Sequence, residues 1–262
     1  MLIHPNINPI AVQIGPLKIY WYGIMYVIGF AIAWILANYR AKHAANSLTA
    51  HQISDLIFYA AIGVILGGRL GYILFYDFSD LINNPTFIYK VWEGGMAFHG
   101  GVIGVIIAMY FFAKKNKKSF LQVADFVCPL IPIGLMLGRI GNFINGELWG
   151  RITTVPWGMI FPATGILPRH PSQIYEALLE GLLLFIFLWI YSEKPRKPGN
   201  VSAWFLIGYG IARIICEFFR EPDVQIGFIG HWFTEGQLLS FPMILLGIYL
   251  LMKKTDKNAI MN

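Results

Sequence analysis

Apolar runs close to 20 residues long, separated by short polar segments, constrain this chain more than any other feature. They fall at about 19–38, 54–76, 96–113, 121–144, 173–191, 201–219 and 237–252. A hydrocarbon core about 30 Å thick takes roughly 20 residues of helix to cross. Buried in lipid, such a segment must satisfy its own backbone hydrogen bonds, which a helix does. The composition agrees: 56% of residues are apolar and only 13% charged, against about 45–50% and 25% in soluble domains. A water-soluble globule and a disordered chain are both excluded. Met1 to Lys18 holds three prolines and no apolar core behind a basic start, so it does not read as a cleavable signal. The expectation is an all-α polytopic membrane protein. It has one membrane-embedded domain over 1–262, seven transmembrane helices and small loop elements on the outer side. Pro129, Pro132 and Pro242 lie inside spans, where neighbouring helices can re-satisfy the carbonyls they free.

Lysine and arginine set the orientation. The segments 39–53, 114–120, 192–200 and 253–262 carry 12 of the 20, and the alternate set carries 5. The N-terminus is therefore expected outside and the C-terminus inside. The net charge of +6 follows from these inner-loop cations and does not call for nucleic acid. Glycines four apart (Gly63, Gly67 and Gly71; Gly100 and Gly104; Gly134 and Gly138) mark places where helices can approach closely.

The three remaining cations, Arg69, Arg139 and Arg213, lie within spans. Each costs about 2.5–3.5 kcal/mol to place at mid-membrane, so such residues usually mark an ion pair or a functional cavity. With the orientation above, all three fall toward the outer face. Tyr22, His99, His170, Gln173, Glu176, Glu180 and Glu217 fall at similar depth. Tyr209, Arg213 and Glu217 repeat every four residues, on one helix face, so Glu217 can pair with Arg213. Glu176 and Glu180 also share a face and need cations, for which Arg69 is one candidate. Arg139 opens the run Arg139-Ile140-Gly141-Asn142-Phe143-Ile144-Asn145-Gly146-Glu147-Leu148-Trp149-Gly150-Arg151. Glycine and asparagine allow positive φ and can expose backbone N–H groups. With Asn142 and an arginine fork, such amides suit an anionic oxygen group such as phosphate. His99, followed by two glycines at a span start, can take a proton near neutral pH. GxSxG, HExxH, P-loop and GxGxxG patterns are absent. Cys128 and Cys216 sit in apolar runs, and no spacing suits a metal. No cofactor is expected.

The run GRIGNFINGELWG at 138–150 resembles the signature of the prolipoprotein diacylglyceryl transferases. YWYGIMYVIGF (20–30), GGRLGY (67–72), WEGGMAFHGG (92–101), RHPSQIYEALLEG (169–181) and GYGIARIICEFFREPD (208–223) extend the resemblance, in the same order, along nearly the whole chain. It implies a seven-helix bacterial inner-membrane enzyme with a periplasmic N-terminus and a cytoplasmic C-terminus. The family moves a diacylglyceryl group from phosphatidylglycerol to the lipobox cysteine of a preprolipoprotein signal peptide, releasing glycerol 1-phosphate. It also implies catalytic roles for His99, Arg139 and Arg213. Substrate-binding positions would be Tyr22, Arg139, Asn142, Glu147, Gly150, Tyr209, Arg213 and Glu217, with Glu147 and Glu217 orienting the arginines. The partners are then phosphatidylglycerol, the signal peptide and the bilayer. A transporter for an anionic lipid or solute is the alternative that buried arginines also allow. Inverted repeats and paired broken helices, frequent in transporters, are not evident.

Overall fold

The fold is that of a computed structural model describing residues 2–43, 48–90, 94–222, 227–230 and 232–253. A short strand β1 (Leu2–Ile3) and a hairpin of β2 (Ile10–Ile14) and β3 (Leu17–Tyr20) lead into α1 (Trp21–His43). Next come α2 (Ala50–Tyr76), α3 (Phe78–Asn83), a 3-10 turn (Pro85–Tyr89), α4 (Phe98–Lys115), α5 (Phe120–Val127) and α6 (Ile131–Asn145). A second short strand, β4 (Met159–Ile160), precedes α7 (Ser172–Glu176). That helix runs through a π-helical stretch (Ala177–Leu183) into α8 (Leu184–Tyr191). Helices α9 (Asn200–Glu217) and α10 (Glu235–Met252) complete the chain.

Among the described residues, five stretches, Trp21–Lys42, Ala50–Tyr76, Phe98–Lys115, Ser172–Tyr191 and Glu235–Met252, are long and apolar enough to cross a membrane; α5 and α6 taken as one bent span make six. Large side chains such as Val27, Phe75 and Leu245 are exposed on these helices. A polytopic membrane protein accounts for such surfaces, because lipid covers them. Two features differ from the sequence reading. The fourth span is broken, with its halves bent by 49°. Pro129 falls in the break and Pro132 in the first turn of α6, where the missing N–H and the ring block a continuous helix. The sixth, α9, carries Asn200, Arg213 and Glu217 among its 18 residues and is not among the stretches apolar enough to qualify alone.

Two compact units make up the chain. In the unit Ala37–Ala124, α2 and α4 pack face to face. A Cβ on Gly67 would fall 2.8 Å from the Gly104 Cα, and one on Gly71 would fall 2.7 Å from the Gly100 Cα. Only hydrogen fits at these crossings, as the four-residue spacing predicts. Arg69 is buried and donates to the carbonyls of Gly94 (2.5 Å) and Gly95 (3.2 Å). Ala97 N–H binds the Gly68 carbonyl, which fixes the approach to α4.

The other unit joins Met1–Leu36 to Asp125–Asn262. Here α9 packs on α10, and α6 packs on α7 and the π stretch. Apolar packing centres on Cys128, Leu184, Leu188 and Val201, with Trp204 and Tyr209 against them. Asp125 reaches across to the start of α9, accepting from Gly199 N–H (2.7 Å), Ser202 N–H (2.8 Å) and Ser202 Oγ–H (2.6 Å). It meets the orphan donors of the helix N-terminus, where a negative charge is also favoured by the dipole. A Cβ at Gly134 or Gly138 would meet nothing within 4 Å. Among the described residues this leaves both positions open, although a Cβ on Gly29 of α1 would come within 3.7 Å of the Gly134 Cα. β1 pairs in parallel with β4, Leu2 opposite Met159. His4 N–H binds the Ile160 carbonyl, and the His4 ring stacks on Phe161 with Nε2 2.6 Å from the Phe143 carbonyl.

Candidate active site

Helix α6 ends as its sequence suggests. Gly146 adopts a left-handed φ of +65°, and its N–H caps the carbonyls of Asn142 and Phe143. The next turn is less expected, because Leu148 also takes a positive φ of +58°, a conformation few non-glycine residues adopt without support from their surroundings. Support comes from the first turn of α7. Ser172 Oγ–H donates to the Leu148 carbonyl at 3.0 Å, and Gln173 Nε2–H to the Glu147 carbonyl at 2.7 Å. Both donor side chains are buried.

Gly150 knits three segments together. Its N–H binds the His170 carbonyl, while Arg151 N–H binds the Phe219 carbonyl, and Arg169 donates to the Gly150 carbonyl. A Cβ there would stand 2.5–2.6 Å from the Phe219 and His170 carbonyl oxygens. Arg151 then donates to the carbonyls of Glu217 (3.1 Å) and Arg220 (3.0 Å), satisfying acceptors left open at the end of α9. His170, just ahead of α7, sets Nδ1 3.1 Å from the Tyr175 hydroxyl, and burial pushes its imidazole below its ordinary pKa.

This framework assembles an ion-pair cluster. Glu176 closes α7 and Glu180 lies in the π stretch; both are fully buried. Arg139 Nε lies 2.6 Å from Glu176 Oε2, and its Nη2 lies 3.6 Å from Glu180 Oε2. Arg213 Nη1 lies 3.3 Å from Glu176 Oε1 and 3.5 Å from Glu180 Oε1, while Nη2 pairs with Glu217. Arg220 approaches Glu176 at 3.7 Å. The Arg139 and Arg213 side chains keep 17% and 13% of their surface; the two glutamates keep none. Carboxylates thus lie at the back, and two guanidiniums are presented in front of them.

The site residues expected from the sequence are distributed as follows. Arg139, Arg213, Glu217 and Tyr209 share this region: Tyr209 lies within electrostatic reach of both arginines and both glutamates, and it stacks on Phe205. Asn142 is buried and donates to Glu147 Oε1 at 2.8 Å, as Asn145 does at 3.2 Å. Glu147 therefore holds asparagines, not an arginine as the sequence reading had it; among the described residues it has no ion pair. The Tyr22 ring lies against Gly141. His99 is the second residue of α4, in the other unit, and is exposed. The loop amides depart from expectation. The N–H groups of Gly146, Glu147, Gly150 and Arg151 all bind carbonyls of the fold and are not left open for an anion. Sequence reasoning missed Arg220, Arg151 and Ser172. Arg151 closes the glycine-rich run, but nothing in the sequence assigns it a role of its own.

The family model described as "Prolipoprotein diacylglyceryl transferase" matches residues 9–253. A protein of Legionella pneumophila (strain Lens), named phosphatidylglycerol--prolipoprotein diacylglyceryl transferase, is 60% identical over 251 residues. The match covers 95% of this chain and 98% of that one. A protein of the same name from Coxiella burnetii (strain RSA 331 / Henzerling II) is 58% identical over 252 residues, covering 96% of this chain and 97% of its own.

Proposed function

The chain belongs to the prolipoprotein diacylglyceryl transferase family, and we propose that it moves the diacylglyceryl group of phosphatidylglycerol onto the lipobox cysteine of a preprolipoprotein signal peptide. A thioether-linked lipid forms and glycerol 1-phosphate leaves. The observation that carries the reading is the pair Arg139 and Arg213, two partly exposed guanidiniums set on buried carboxylates. A phosphodiester offers two anionic oxygens, and planar forks meet such a pair better than ammonium groups do.

The nucleophile comes with the substrate, so the buried thiols of Cys128 and Cys216 need play no part. A cysteine thiol has a pKa of about 8.5 and attacks as thiolate. The sulfur forms a bond to the glyceryl carbon bearing the phosphate, the carbon–oxygen bond breaks, and its electron pair leaves with the phosphate. Arg139 and Arg213 stabilise that departing charge. His99 is the base that takes the thiol proton, since it is exposed and imidazole is the side chain that most often serves as a general base. Tyr22, Asn142 and Tyr209 contribute to headgroup binding. Glu147 acts through Asn142, Glu217 through Arg213, and Gly150 through the register of the loop it anchors.

The reading extends to topology. Counting α9 as a seventh span, with a polar face turned inward, gives an odd number. The N-terminus then lies in the periplasm, the C-terminus in the cytoplasm and the chain in the bacterial inner membrane, as one transferase domain. Both substrates are membrane-borne and enter laterally from the bilayer. The test incubates purified protein with phosphatidylglycerol and a lipobox peptide and weighs the peptide. A diacylglyceryl mass gain on its cysteine, absent with Arg139→Ala, is expected. Folded, lipid-binding protein that gives no gain would sink the assignment.

A further inference from the structure

Glu180 has no role in the scheme above, yet it is one of the most costly residues in the molecule to bury. Its carboxylate lies 3.6 Å from Arg139 Nη2 and 3.5 Å from Arg213 Nη1, with no surface exposed. Oε2 takes no hydrogen bond among the described residues. Glu176 and Glu217 each come closer to one arginine, whereas Glu180 stands off from both at similar distances. Glu180 lies between both guanidiniums with one long hydrogen bond, accepted from Arg213 Nη1 at 3.5 Å, and its burial keeps any ligand from touching it.

From this geometry we infer that Glu180 is a positioning residue that tunes the arginine pair against its own product, weakening the grip on a phosphate monoester so that it can leave. The inference rests on the reading of Arg139 and Arg213 as the phosphate site. The diester substrate carries one negative charge there, whereas the released monoester carries close to two at neutral pH. Two unopposed guanidiniums would hold the second far more tightly than the first, and product release sets the turnover of many enzymes. A buried negative charge a few ångströms behind both forks opposes the dianion about twice as strongly as the monoanion, because Coulomb energy scales with charge. Being inaccessible, it does so without occupying the site.

The measurement is inhibition by added glycerol 1-phosphate, together with kcat and the KM for phosphatidylglycerol, in the full-length protein. Glu180→Gln keeps the shape and removes the charge. Its Ki is expected to fall by about tenfold and its KM by about threefold, with a lower kcat. A brace whose loss merely loosens the arginines would raise both constants, so an unchanged or raised Ki overturns the inference. Should the glutamine variant fail to fold, Glu180→Asp carries the test. Its shorter arm draws the charge away from both forks, and a severalfold fall in Ki is expected; no fall overturns it. Equilibrium binding of glycerol 1-phosphate, measured by calorimetry and needing no turnover, separates the two levels of the argument. A Kd raised by Arg139→Ala but unmoved by Glu180→Gln removes the role of Glu180 alone. A Kd that moves in neither variant removes the phosphate site as well.

Discussion

Arg139 and Arg213 owe their positions to residues that never meet the surface, and the chain of support can be followed atom by atom to Gly150. That glycine lets the loop after α6 lie against the strips at His170 and Phe219. The same strips carry the start of α7 and the end of α9, and so the glutamates and Arg213. Gly150→Ala would push a methyl against carbonyl oxygens 2.5–2.6 Å away, and backbone atoms yield poorly. A loss of about 1–3 kcal/mol is expected, seen as a lowered Tm in detergent and accompanied by loss of transfer. A variant with unchanged Tm would mean that the strips have room to part. The pairing of Arg213 with Glu217 was legible in the sequence, because four residues on a helix always bring side chains together. The partnership of Arg139 with Glu176 and Glu180 was not. It joins separate helices, and no local spacing encodes it. Leu148 was equally hidden, since nothing in a leucine announces a left-handed backbone.

At the scale of elements, the spans read well because lipid leaves a helix few alternatives. The expected 54–76 and 173–191 lie within Ala50–Tyr76 and Ser172–Tyr191. What composition could not place were the interruptions. The break between α5 and α6 has prolines to announce it. The π stretch from Ala177 to Leu183 has no comparable signal and carries Glu180; such stretches recur at functional sites. The cap on α9 depends on Asp125, far away in sequence, and no local spacing joins the two. Asp125→Ala would strand the donors of Gly199 and Ser202. A destabilisation of about 2–3 kcal/mol follows from the lost cap and the unsatisfied groups. Thermal unfolding in detergent measures it, and a Tm within a degree of the parent would show that other groups suffice to cap the helix.

For the whole molecule, the distribution of lysine and arginine makes a prediction that is independent of the chemistry. Ile166→Cys, in the exposed loop before α7, should react with a membrane-impermeant maleimide on intact spheroplasts. Lys117→Cys, between α4 and α5, should react only after permeabilisation. The two native thiols are buried and give little background. The reverse pattern would invert the proposed orientation. One detail of the fold also bears on how the protein is made. Leu2, Ile3 and His4 are fastened by Phe143, Met159, Ile160 and Phe161, which are synthesised more than a hundred residues after them. Contacts so distant in sequence form late. The Leu2–His4 segment must therefore wait, unfastened, until the loop after α6 has been made. Its pairing with β4 records that the stretch carrying Arg139 has arrived.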